Sequence, residues 1–308
     1  MIDTDATETI EPAELVEMIE TGGFDPRDEE SIAAFAPALK RLSNNRTFLS
    51  DIAIEELKTH CAGQTARNHY SGQVILLHTS PRQFAIRANF WPAEEDSVVV
   101  NSGTDPFFYH LPHDHNFSFL TVGYLGPGYR SDYYEYEYDR VAGATGEAVK
   151  LHFAGRSTLA PGKVMLYRRL RDVHRQLPPL SLSVSLNILA LSPVDDFFDQ
   201  YRFDLERGQI AGIINPSSLA NLVSLAACHG GGNGRDLVES FSVSHPSARI
   251  RFAAWQAKAA MEGDIDGRLA VYDRAAAADD AFVREMACHE MRRLVASRAL
   301  MERPKAMA

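Results

Sequence analysis

The stretch that decides the fold is His110-Leu-Pro-His113-Asp-His115-Asn-Phe117, taken together with the distant His174 in Arg171-Asp-Val-His174-Arg175. Side chains alternate along an extended chain, so histidines spaced i, i+2 point to one face and His113 and His115 converge. The segment that follows, Phe117-Ser-Phe-Leu-Thr-Val-Gly123, is apolar and rich in strand-favouring residues, which places the pair where a strand enters a core. Asp114, between them, points away. A third imidazole delivered by another strand completes a metal site, and His174 is the candidate. His110 lies three residues upstream across a proline and falls to a loop or rim.

Working outward, short strand-like runs continue on both sides. Gln73–Leu77, Gln83–Trp91 and Ser97–Val100 read as strands separated by Pro81, Pro92 and Gly103. Phe107–His110, Asp132–Tyr138, Val149–Phe153, Lys163–Tyr167 and Leu180–Leu189 extend the pattern to roughly eight to ten strands, the number expected of a jelly roll or related double-sheet barrel. Before this region, residues 10–63 carry Leu15, Ile19, Ala34, Ala38 and Leu42 at helical spacing, punctuated by Gly22-Gly23 and Pro26. Beyond Pro193 the chain is alanine-rich, with helices expected over 219–229, 248–261 and 281–299. Ala-Ala-Cys-His at 226–229 returns loosely as Met-Ala-Cys-His at 286–289, and Arg251-Phe-Ala-Ala-Trp resembles Arg284-Glu-Met-Ala-Cys. Stacked helix pairs of the HEAT type and a plain helical bundle both accommodate this. His229 and His289 each stand alone in a helical pattern and read as structural. The fold class is α+β: a β-jelly-roll barrel over 70–195, a helical N-terminal segment over 1–69 and an all-helical C-terminal domain over 196–308.

With 308 residues, 45% hydrophobic and 23% charged, the chain is long enough for one large domain and a smaller one. A formal net charge of −10 without a basic run argues against nucleic acid or an anionic membrane as partner. The acidic start, Met1-Ile-Asp-Thr-Asp-Ala-Thr-Glu8, lacks the basic and apolar regions of a signal peptide, and nothing approaches the about 18 apolar residues of a membrane span. A cytoplasmic location is expected. Cys61, Cys228 and Cys288 are scattered, as reduced thiols are, and lie far from the His113 motif.

The order of these motifs resembles the cupin superfamily over about residues 70–193, roughly two fifths of the chain. The first cupin motif is His-x-His, a later Glu and a later Gly. Here His113 and His115 are followed by Phe119 at the Glu position and Gly126 at the Gly position. The second runs Gly, Pro, His, Asn, matched by Gly155, Pro161-Gly162, His174 and Asn187, with the histidine later than in the strict pattern. The resemblance implies a barrel with His113, His115 and His174 as metal ligands. Loss of the Glu makes the site similar to three-histidine mononuclear iron dioxygenases, including thiol dioxygenases and diketone-cleaving enzymes. That implies Fe(II), with Zn or Mn as alternatives. Arg168, Tyr167 and Arg87 are candidates to orient a small-molecule substrate. Arg168, Arg169, Arg171 and Arg175 cluster around His174, and salt bridges to the acidic Tyr-rich strand are the competing fate. Glu135 becomes a fourth ligand only if its register turns it inward. A metal-dependent oxygenase, a cupin isomerase and a non-catalytic cupin sensor all remain open. In the last, the C-terminal helices meet a second copy or a protein or peptide partner.

Overall fold

The N-terminal helices form where the sequence supplies both a start signal and an apolar stripe. In α1 (Pro12–Thr21), Glu11 and Glu14 make a reciprocal capping box, with Glu11 N–H donating to Glu14 at 2.7 Å, and Leu15 and Ile19 bury one face. Asp28 caps α2 (Glu29–Ala33) by accepting from Glu30 N–H at 2.9 Å. Helices α3 (Ala36–Asn44), α4 (Phe48–Lys58) and α5 (Ala62–Arg67) complete the group. A computed structural model describes residues 1–67, 73–80, 83–215 and 218–301; Pro81 and the boundary expected at residue 70 lie outside the described residues.

Two antiparallel sheets of three or more strands follow, among the described residues. The larger contains β1 (Val74–Ser80), β2 (Phe84–Trp91), β3 (Phe119–Leu125), β6 (Val164–Tyr167) and β8 (Ser183–Ala190), in the order β1-β2-β8-β3-β6. The smaller has β4 (Arg130–Glu135) between β5 (His152–Thr158) and β7 (Asp172–Leu177). Strand alternation divides the larger sheet cleanly. Ile86, Ala88, Leu120, Val122, Val164, Leu186 and Ile188 face the N-terminal helices and share one core with Leu15, Ile19, Leu39 and Leu42. Ala85, Trp91, Phe119, Met165, Tyr167 and Leu189 face the other way and form a second core, against which Tyr133 of the smaller sheet packs. The helical preface therefore covers one face of the sheet, leaving the opposite face to build a site.

Between β3 and β4 the chain turns at Gly126, which has φ +75°, a backbone region costly for any residue with a Cβ. In the smaller sheet, Asp132 lies directly opposite Arg156 on β5 and Arg175 on β7, and both arginines bind its carboxylate. Asp132 is 1% exposed, and the Arg156 hydrogen bond leads the causes that hold its pKa below the usual value. The side-chain clamp spans all three strands.

Several expectations are corrected. Ser97–Val100 is not a strand but part of helix α6 (Ser97–Ser102). Asp96 accepts from Ala93 N–H through its side chain and from Val99 and Val100 N–H through its carbonyl, and of the three valines only Val99 is buried. Local turn chemistry overrides the β-branched run. Phe107–His110 is not a strand: the 3₁₀ turn Asp105–Phe107 ends there, φ is positive at Phe108 and His110, and Tyr109 makes only an isolated bridge to Gln176. The Tyr-rich strand ends at Glu135, and β5 begins at His152 rather than Val149. β7, and β9 (Tyr201–Asp204) beyond Pro193, are strands that hydropathy alone did not reveal.

The chain divides into two compact units: one comprises residues 1–138, 149–196 and 200–209, the other 139–148, 197–199 and 210–308. The second is helical beyond β10 (Gln209–Ile213), with α7 (Leu219–His229), α8 (Gly231–Ser244), α9 (Ala248–Ala260), α10 (Ile265–Ala276) and α11 (Ala281–Met301). α9 is its centre, burying Ile250, Phe252, Ala254, Trp255 and Ala257 among the other helices. α8 begins Gly-Gly-Asn-Gly and α10 is capped by Asp264, and neither carries a strong stripe, so both escaped the hydropathy reading. No described helix is long and apolar enough to cross a membrane.

Because Leu39 is fully buried in the core shared by α3 and the sheet, Leu39→Ala is expected to cost about 2–5 kcal/mol, measured as a fall in the urea midpoint. A change below about 0.5 kcal/mol shows that the preface does not share the sheet's core.

Candidate metal centre

The site is built on a short backbone seam. His113 N–H donates to His174 O at 3.1 Å and His174 N–H donates to His113 O at 3.0 Å, so the two residues are hydrogen-bonded partners across an antiparallel bridge. Partners of this kind project their side chains to the same side. His113 belongs to a bridged extended segment, and the strand proper begins at Phe119. On the other flank, Phe203 N–H donates to Pro112 O at 2.9 Å and Asp114 N–H to Tyr201 O at 3.2 Å. The His-x-His segment is thus held between β7 and β9. Asp114 points away from the site, fully buried, and accepts from Tyr136 OH and Tyr201 N–H at 2.5 Å each.

The three imidazoles meet through their Nε2 atoms. His115 Nε2 is 3.0 Å from His174 Nε2, which is 3.2 Å from His113 Nε2, and the three ligand atoms all lie within 4.8 Å of one another. Metal–imidazole bonds of about 2.1 Å at angles of about 90–110° place ligand nitrogens about 3.0–3.4 Å apart. Both spacings about His174 fall in that range. His113 Nδ1 lies 2.9 Å from the Leu111 carbonyl, which can only accept, so the proton is on Nδ1 and the Nε2 lone pair faces the other two rings. Burial lowers the pKa of His113 to about 4 and, with the neighbouring imidazoles, holds His115 and His174 well below 6.5. At neutral pH the cluster is three neutral nitrogen donors, the state a divalent ion requires.

Around them the walls are aromatic. Phe119, where a cupin motif carries Glu, sits edge-on to His115 at 5.0 Å between centroids and stacks on Tyr167 at 4.5 Å and 6°. Tyr167 is 4.7 Å from His174 by ring centroid, and its hydroxyl is 3.2 Å from that of Tyr133. Burial keeps the phenols of Tyr129, Tyr133 and Tyr167 protonated. Glu135 lies on the same sheet face as Tyr133, yet it binds Arg168 at 2.6 Å and Arg171 at 3.1 Å and stands outside the histidine cluster. Asp172 and Glu135 occupy the guanidinium of Arg168 and raise its pKa. Arg169 pairs with Asp195 and Arg175 with Asp132. Arg87 is half-buried on β2, and its charge is one of the influences, after burial and His113, that keep His115 neutral.

His110 is exposed, with φ +61°, and its N–H donates to Gln176 O at 2.8 Å, so it serves the loop. His229 and His289 are exposed and join no ligand cluster among the described residues. Tyr133 and Tyr129 were not singled out from the sequence. The available signal was the alternation of Asp132-Tyr133-Tyr134-Glu135, which puts Tyr133 and Glu135 on one face; the longer Tyr-Glu alternation directed attention to Tyr134, Tyr136 and Tyr138 instead.

No protein-family model matches the chain, and no curated protein is similar to it. Among solved structures it is similar to the DMSP lyase DddQ from Ruegeria pomeroyi, with 11% identity over 38% of this chain and 45% of that one and a TM-score of 0.22. It is also similar to hydroquinone 1,2-dioxygenase from Sphingomonas, with 9% identity over 42% of this chain and 72% of that one and a TM-score of 0.25. A cupin-like protein from Thermotoga maritima shows 12% identity over 44% of this chain and 79% of that one, with a TM-score of 0.22. The chain spans under half the length of the lyase structures it matches.

Two outcomes follow from the geometry. His174→Ala is expected to lose most bound metal by elemental analysis while keeping its circular dichroism spectrum, because two imidazoles bind a divalent ion poorly; unchanged metal content removes His174 from the ligand set. In metal-free protein the folded histidines stay neutral while those of the unfolded chain ionise near 6.5, so unfolding takes up protons in acid. The melting temperature is therefore expected to fall from about pH 6.5 toward about pH 4, and the contribution to be fully retained above that window. A flat profile across it shows that the rings ionise normally when folded.

Proposed function

We propose that this chain is a metalloenzyme of the cupin type, a jelly-roll barrel whose three neutral histidines hold Fe(II) for oxygenation of a small organic substrate. The carrying observation is the convergence of three Nε2 atoms with an aromatic ring, Phe119, in place of a carboxylate. The chemistry such a site would gain from a bound divalent ion is Lewis acidity toward substrate and dioxygen. His113, His115 and His174 would hold it with its double charge uncompensated by any ligand, which favours an anionic substrate and makes an external keto-acid unnecessary. Arg168 supports the site by holding Glu135 and Asp172 at hydrogen-bond distance, so that Glu135 stays with the guanidinium. Tyr167, protonated and packed against His174, offers a neutral hydroxyl to hold substrate or donate a hydrogen bond. Phe119 and Phe117 line His115 and limit water beside it.

The test begins with metal analysis of protein purified without a nickel column, where near-stoichiometric iron is expected. Zinc or manganese instead supports a cupin isomerase, and absence of metal supports a non-catalytic sensor. An oxygen-electrode screen of iron-loaded protein against thiols, diketones, amino acids and phenolic acids is expected to show consumption without 2-oxoglutarate. Turnover only when 2-oxoglutarate is supplied overturns the three-histidine oxygenase reading.

A further inference from the structure

The inward face of the larger sheet is not uniformly apolar. Register sets Arg87 of β2 opposite Asn187 of β8, and Asn187 opposite Thr121 of β3, so the three side chains form one row on one face. The row lies two residues along the strands from Leu189, Phe119 and Tyr167, the last two of which pack on His115 and His174. Asn89 stands a further two residues along β2, opposite Ser185. Asn187 is 2% exposed and Asn89 6%, and the Oδ1 atom of each makes no hydrogen bond to protein. At the alternate positions of the same strands the side chains are Ile86, Ala88, Leu186 and Ile188. A sheet that builds a dry core on one face and buries two carboxamide oxygens without protein partners on the other gives up stability that a polar ligand could restore.

We infer that Arg87, Asn187 and Thr121 are the substrate-recognition row of the metal site, and that the ligand is a small carboxylic acid bearing a hydroxyl or amino group. A guanidinium takes a carboxylate through paired hydrogen bonds. A carboxamide both donates and accepts, and a neighbouring hydroxyl does the same, so Asn187 and Thr121 suit a second polar group on the same small molecule. The inward positions of β2, β3, β6 and β8 carry no carboxylate that would repel such an acid. The inference rests on the metalloenzyme reading for the location of the reacting atoms, while the recognition row is a property of the sheet.

The probes are lactate, its deoxy counterpart propionate and its uncharged amide lactamide, added to metal-loaded full-length protein, with binding read as the rise in melting temperature. Lactate is expected to bind more tightly than either control. Asn187→Leu is expected to bring lactate down to the level of propionate, about a tenfold loss, as removal of one hydrogen bond predicts. Arg87→Met is expected to abolish the responses to both acids. Without ligand, Asn187→Leu is expected to melt no lower than the parent, because it replaces a buried amide whose oxygen has no protein partner with a hydrocarbon of similar size. Equal binding of the three probes, no binding of any, or an unliganded melting temperature lowered by Asn187→Leu overturns the inference. Metal content measured on the same samples separates the two claims. A lactate preference in protein that holds no metal sinks the metalloenzyme reading alone, whereas bound metal with no lactate preference sinks the recognition row alone.

Discussion

Everything at the site depends on two backbone hydrogen bonds, exchanged between His113 and His174. They join segments 61 residues apart and make two ligands direct cross-strand partners. Once that pair is set, strand alternation places His115 on the same side and turns Asp114 the other way, where Tyr136 and the Tyr201 amide lock it. The segment that carries His113 and His115 lies ahead of β3 and is held in extended form by this bridge and by its bonds to β9. The imidazoles come close because the backbone has already brought them there, and burial then keeps them unprotonated.

The larger sheet shows how one strand sequence serves two purposes. In β8, Val184, Leu186, Ile188 and Ala190 meet the N-terminal helices, while Ser183, Ser185, Asn187 and Leu189 look inward. All eight residues are buried, so the difference between faces is one of chemistry rather than depth. The helices supply the apolar partner that holds the sheet, and the inward face is thereby released from the need to be oily.

Much of the site was legible in the sequence for the same reason. His113 and His115 are spaced by the strand period, and the Pro161-Gly162 turn and the later His174 stand in an order that a double-sheet fold brings together. What stayed hidden was whatever depends on pairing rather than on pattern. β7 has no apolar alternation to announce it, because Asp172, Arg175 and Gln176 find their partners on β4 and its neighbours. The valines 98–100 looked like a strand until Asp96 nucleated a turn of helix beneath them. Tyr133 was passed over because the phase of its strand is fixed by the His174 register, which no local reading supplies.

The carboxylate of Asp132, clasped from both sides by Arg156 and Arg175, has a significance that its place on the far face of the smaller sheet conceals. A β-ladder has no intrinsic preference between neighbouring registers, and displacement by a single residue inverts every side chain on the strand. His174 would then project outward. Asp132 makes that displaced ladder electrostatically incoherent, since it would leave a buried anion facing the wrong neighbours on two strands at once. The residue joins no ligand cluster among the described residues, yet it acts as a frame-keeping element: a charge reversal there would erase the site by translation rather than by chemistry.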